Sequence, residues 1–146
     1  MYKHILIPID GSKLSEKAIK DGVKLAKAIG ARVTGFMATP TFLPVIAVDP
    51  VMTAYPLEDY RKDSEKHAKK SLDVLKRAAA AAGVRCTVEH LQSDQPWNAI
   101  IRAVRRNRCD LIFMASHGRR GIAGFVLGSE TTKVLTHSKT PVLVCR

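Results

Sequence analysis

Apolar runs of strand length alternate with apolar stripes of helical spacing along nearly the whole chain, and this alternation limits the fold more than any other feature. His4 to Ile9 is a short apolar run, and after it Ile19, Val23, Ala26 and Ile29 share one helical face that stops at Gly30. Arg32 to Ala38 reads as a second strand. Thr39 to Pro56 carries prolines at 40, 44, 50 and 56, which predicts a long irregular connection, a kind of loop that is usually functional or mobile. From Leu57 the residues Ala68, Leu72, Leu75, Ala79 and Ala82 mark the longest helix, closed by Gly83. Val84 to Leu91 reads as a third strand. A helix follows, with Pro96 in its first turn and Trp97, Ile100, Ala103 and Val104 on its apolar face. Leu111 to Ala115 is a fourth strand, Ser129 to His137 a last helix and Pro141 to Cys145 a last strand.

Strands separated by helices need crossover connections, so the pattern predicts an α/β fold. Its form is a five-stranded parallel, doubly wound sheet with helices on both faces, a Rossmann-like three-layer sandwich. The 146 residues, 46% of them hydrophobic, suit one domain over 1–146, with roughly 70% of the unfolded surface buried. Neither an export signal nor a run of membrane-spanning length is evident, which points to the cytoplasm and away from a membrane. Cys86, Cys109 and Cys145 have no disulfide or zinc spacing and read as buried thiols.

Ligands of doubly wound sheets sit at the carboxyl ends of strands, where the winding reverses. Two polar clusters follow strand ends here: Pro8-Ile9-Asp10-Gly11-Ser12 and Ala115-Ser116-His117-Gly118, the second followed nine residues later by Gly128-Ser129. They form one crevice only if the first and fourth strands are neighbours. A glycine-rich segment between strand and helix presents backbone N–H groups and a positive helix end to an anion, usually a phosphate. Charge agrees with this. Residues 101–146 hold nine Lys/Arg against two acids, a net +7 of the chain's +11.

Several features also have ordinary structural explanations. Asp10-Gly11-Ser12 forms a turn and helix cap as readily as a ligand contact, Ser129 suits an N-cap, and Glu130 suits an acid stabilising a helix start. A carboxylate at Glu130 repels a triphosphate unless it turns outward or holds a divalent cation. His117 has no carboxylate or nucleophile tied to it by spacing, so a loop-packing role fits it best. Two other classes remain open. Ser116 half matches a nucleophile elbow, with His137 as base, which would make a small serine hydrolase. Arg102, Arg105, Arg106 and Arg108 offer a basic nucleic-acid surface, although only Trp97 is nearby for base stacking.

The chain resembles the universal stress proteins of the nucleotide-binding class. The resemblance rests on Lys3 to Ser12, on Ala115-Ser116-His117-Gly118 with Gly128-Ser129, and on Thr140 to Val144, in order along essentially the whole chain. The family loop pattern, Gly-x2-Gly-x9-Gly-Ser/Thr, falls on Ala115, Gly118, Gly128 and Ser129, with alanine replacing the first glycine. A methyl group there is tolerable if Ala115 has a negative φ and its Cβ points away from the ligand. The resemblance implies the adenine nucleotide alpha hydrolase-like fold and ATP, with magnesium, held at the loop. Pro8, Ile9, Asp10 and Ala38 would border the base and ribose; Ser116, His117, Gly118, Arg119, Gly128, Ser129 and Glu130 would surround the phosphates. It also implies a homodimer through Val142, Leu143, Val144 and Cys145, and a stress-response switch rather than an enzyme. The terminal strand has its own reason to pair, being a short apolar strand expected at a sheet edge.

Overall fold

The computed structural model describes residues 1–41, 57–117 and 127–146. Expectations for Gly118 and Arg119, and for most of the 39–56 connection, lie outside those residues. The elements run β1 (His4–Pro8), α1 (Lys13–Ile29), β2 (Arg32–Thr39), α2 (Leu57–Ala82), β3 (Cys86–Gln92), α3 (Pro96–Asn107), β4 (Leu111–Ala115), α4 (Ser129–His137) and β5 (Val142–Cys145). The sheet order is β3-β2-β1-β4-β5, and every pairing is parallel. The chain winds outward from β1 through β2 to β3, crosses over, and continues through β4 to β5. The winding therefore reverses between β1 and β4.

Alternation along the strands sends side chains to two cores. Ile5, Ile7, Val33, Met37, Leu111 and Phe113 meet Ile19 and Val23 of α1 and Leu72 and Leu75 of α2. Leu6, Phe36, Ile112 and Met114 meet Ile100 and Val104 of α3 and Val134 of α4 on the other face. Phe36 is 1% exposed, and truncating a phenylalanine so placed costs about 3–5 kcal/mol. Gly22 lets α1 lie close on the sheet, because a Cβ there would stand 2.8 Å from Ile7 Cδ1 and 3.1 Å from Phe113 Cδ1.

Local signals set the element ends. Ser12 caps α1, its hydroxyl accepting from Ser15 N at 3.1 Å, and Gly30 closes the helix at φ 69°. The third strand starts at Cys86 rather than Val84. Gly83, at φ 70°, ends α2 and Val84 N donates back to Ala79 O at 2.9 Å, so the helix cap claims the residue assigned to the strand. Thr39 belongs to β2, while Ile9 falls just past β1 although its N–H still reaches Phe36 O at 2.8 Å. Only Cys109 of the three cysteines is buried; Cys86 and Cys145 are half-buried near the ends of edge strands. Among the described residues, no helix is long and apolar enough to cross a membrane.

The amino end of the sheet is closely tied together. Asp110 accepts from Lys3 N at 2.8 Å and His4 N at 2.9 Å. A polar row crosses three strands there, with His4 Nε2 2.7 Å from the buried Thr34 Oγ1 and that hydroxyl 2.8 Å from Oγ1 of the exposed Thr87. Burial, with Arg32 second, holds the His4 imidazole below its ordinary pKa of 6.5.

Candidate functional site at the carboxyl edge

β1 and β4 are hydrogen-bonded neighbours, with Ile5 opposite Leu111 and Leu6 opposite Ile112. The two polar clusters therefore leave the same edge of the sheet side by side. On the β1 side the backbone turns through Gly11 at φ 80°, a conformation that favours glycine. Asp10 Oδ1 accepts from Ser12 N at 3.0 Å and Asp10 N donates to Ser15 Oγ at 3.2 Å, so the turn and cap reading of this segment holds. Beneath the turn, a Cβ on Gly11 would meet Ser71 Oγ at 3.1 Å and the His67 ring at 3.4 Å. His67 and Ser71 of α2 thus support the Asp10 turn. Sequence reading missed both, since their spacing belongs to the buried face of a long helix.

On the β4 side the chain is pinned before and after the glycine segment. Ser116 N donates to Cys145 O and Gly128 N to Ser116 O, each at 2.8 Å. Thr131 Oγ1 donates to Ala115 O at 3.1 Å. These bonds set the start of α4 directly against the end of β4. Gly128, not Ser129, is the N-cap, with φ −61° and ψ 150°, and Ser129 is the exposed first residue of the helix. The expectation of a Ser129 cap is corrected because Thr132 N reaches Gly128 O at 2.9 Å, opening the helical ladder one residue earlier. The amides of Ser129, Glu130 and Thr131 consequently lack intrahelical acceptors.

Ala115 meets the backbone half of the condition set by its methyl group. Its φ is negative, and its side chain packs with the α1/α2 core. Pro8 and Ala38 are half-buried at the ends of β1 and β2, and Ile9 is buried. His117 is half-buried, with Nδ1 3.2 Å from Ser116 Oγ. The Ser116 hydroxyl lies in a residue only 3% exposed. His137 ends α4, about two turns from Glu130, and its ring lies 4.8 Å from that of Trp97. That position engages His137 with α3 and gives no support to its pairing with Ser116 as a base.

Glu130 does stabilise a helix start, but that of α3. Its Oε2 accepts from Trp97 N at 2.9 Å, and its Oε1 meets Lys133 Nζ at 3.0 Å. Further along the edge, His90 Nε2 lies 2.7 Å from Thr39 Oγ1. Burial holds that imidazole below 6.5, with Glu65 opposing the shift.

A parallel doubly wound sheet that gathers the Asp10 turn and the starts of α1 and α4 at its reversal point has the architecture of α/β proteins that hold anionic ligands. Residues 1–146 match the model of the universal stress protein family, and the chain belongs to that family. It is 30% identical over 149 residues to universal stress protein MJ0531 of Methanocaldococcus jannaschii, covering 100% of this chain and 83% of the relative. Among solved structures it resembles universal stress protein UspA from Lactobacillus plantarum, with a TM-score of 0.83, 24% identity, and coverage of 99% and 98% of the two chains. A universal stress protein from Archaeoglobus fulgidus in complex with dAMP shares the fold at a TM-score of 0.69 and 17% identity, over 99% and 98%.

Proposed function

We propose that the carboxyl edge between β1 and β4 binds an adenine nucleotide, from AMP to ATP with magnesium. The observation that carries this reading is the adjacency of those strands, which sets the Asp10 turn beside the start of α4. Pro8, Ile9, Asp10 and Ala38 border the base and ribose. The segment from Ala115 through Ser116, His117, Gly118 and Arg119 to Gly128, Ser129 and Glu130 surrounds the phosphates. The dAMP complex of the Archaeoglobus relative supports the ligand class. No residue is given a catalytic role. Residues 1–146 act as one unit, a cytoplasmic stress-response switch in which the nucleotide binds one state more tightly than the other. The unit is a homodimer paired through β5, an edge strand whose Leu143 is 40% exposed.

Titration calorimetry and thermal melts with ATP and AMP test the nucleotide reading. At 100 times its Kd a ligand adds about 2.7 kcal/mol, which raises Tm by about 5–10 °C for a chain of this size. Absence of heat and of any shift with every adenylate refutes it.

A further inference from the structure

Glu130 occupies the first turn of α4, directly after Gly128-Ser129, where a carboxylate opposes any anion drawn to the helix start. It is not free to swing clear. Its Oε2 caps Trp97 N at 2.9 Å and its Oε1 pairs with Lys133 Nζ at 3.0 Å. The cap matters to α3, because the N-cap residue Gln95 provides no side-chain acceptor of its own. Moving Glu130 away would leave the Trp97 amide without this acceptor and break an ion pair. The negative charge is therefore held about one helical turn from the first amides of α4. Lys133 offsets it only in part, since the two side chains are 49% and 37% exposed and water screens the pair.

We infer that Glu130 is a specificity-determining residue that biases the site toward nucleotides with few phosphates, favouring AMP over ATP. This inference rests on the nucleotide reading of the same edge. A fixed charge repels a ligand in proportion to the ligand's own charge, so a triphosphate is disfavoured more than a monophosphate. Contacts to base and ribose are common to both ligands and cancel in the ratio of their affinities. At roughly 8–10 Å, with a dielectric between that of a protein surface and water, removing the charge should favour ATP over AMP by about three- to tenfold at low salt.

The test is calorimetric titration of the full chain with AMP and with ATP, at low ionic strength and with a chelator in place of magnesium. Glu130→Gln keeps an oxygen for the Trp97 amide and removes only the charge; Lys133→Met keeps the carboxylate and removes its partner. Glu130→Gln should raise the ratio Kd(AMP)/Kd(ATP) by about three- to tenfold, and Lys133→Met should lower it. Both changes should shrink as salt is added. A purely structural role would weaken both ligands together and leave the ratio flat. An unchanged ratio in both variants, with AMP still bound by the native protein, overturns the assignment of Glu130 while the nucleotide reading stands. Failure of the native protein to bind any adenylate overturns both.

Discussion

Replacing Gly128 by alanine tests whether the junction between β4 and α4 is as tight as its geometry implies. At φ −61° and ψ 150° the backbone is accessible to any residue, so conformational freedom does not explain the glycine. Space explains it. A Cβ would stand 3.0 Å from His117 Cα, 3.1 Å from His117 Cβ and 3.4 Å from Ser116 O. The first and last of these are backbone atoms, and the Ser116 peptide is held by its bonds to Cys145 O and from Gly128 N. In open space a Gly-to-Ala change would stabilise the fold by about 0.4–1 kcal/mol through the unfolded chain, whereas overpacking costs about 1–3 kcal/mol. The net expectation is a loss of about 1 kcal/mol and of about 2–4 °C in Tm. Because the forced shift falls at the start of α4, where the proposed site holds its phosphates, adenylate affinity should drop about tenfold, equivalent to about 1.4 kcal/mol. Urea melts and calorimetry on Gly128→Ala measure the two effects. Gly30→Ala is the control: at φ 69° with nothing within 4 Å, it strains the backbone far from the site and should cost about 1 kcal/mol without touching affinity. A Gly128→Ala protein as stable as the native one, with unchanged affinity, would refute the steric argument.

Stability should fall as pH drops below 6.5, because the fold holds His4 and His90 below that value and the unfolded chain then takes up protons the folded state refuses. The contribution is complete above 6.5, and denaturation of His4→Gln and His90→Gln across pH 5–8 should show a flatter acid limb. Burial pushes the Cys109 thiol up to about 12, so iodoacetamide at pH 8 should leave it unmodified in the native protein and alkylate it after unfolding. If the proposed pairing through β5 forms, the native chain should scatter light as a dimer and Leu143→Lys as a monomer, without lowering Tm by more than about 1–2 °C.

Periodicity carried most of the architecture. β4 and α4 begin and end where their patterns place them, because each is bounded by sharp changes of spacing and composition. β3 starts later than its apolar pattern suggests, since Val84 is apolar enough for a strand yet its N–H is taken by the end of α2. The adjacency of β1 and β4 had no local signature at all. It depends on which side of β1 the third crossover descends, a choice made by packing. The Glu130–Trp97 bond was likewise hidden, as it joins residues 33 apart in two different helices. The sequence offers Glu130 as an acid at a helix start, but the start it caps is that of α3, set by the packing of α3 beside α4.

The two ends of the sheet differ in what they can tolerate. At the amino end, Asp110 bridges the entry to β1, and the His4, Thr34 and Thr87 row ties three strands, its His4–Thr34 bond buried. Changes there threaten the whole structure. At the carboxyl end the strands stop in turns and helix starts, where the exposed Ser129 and half-buried Asp10 stand beside the Ser12 and Glu130 caps. Substitutions on the exposed side chains of that end should therefore cost less stability than substitutions in the His4–Thr34 row, which leaves the carboxyl edge freer to change than the scaffold that carries it.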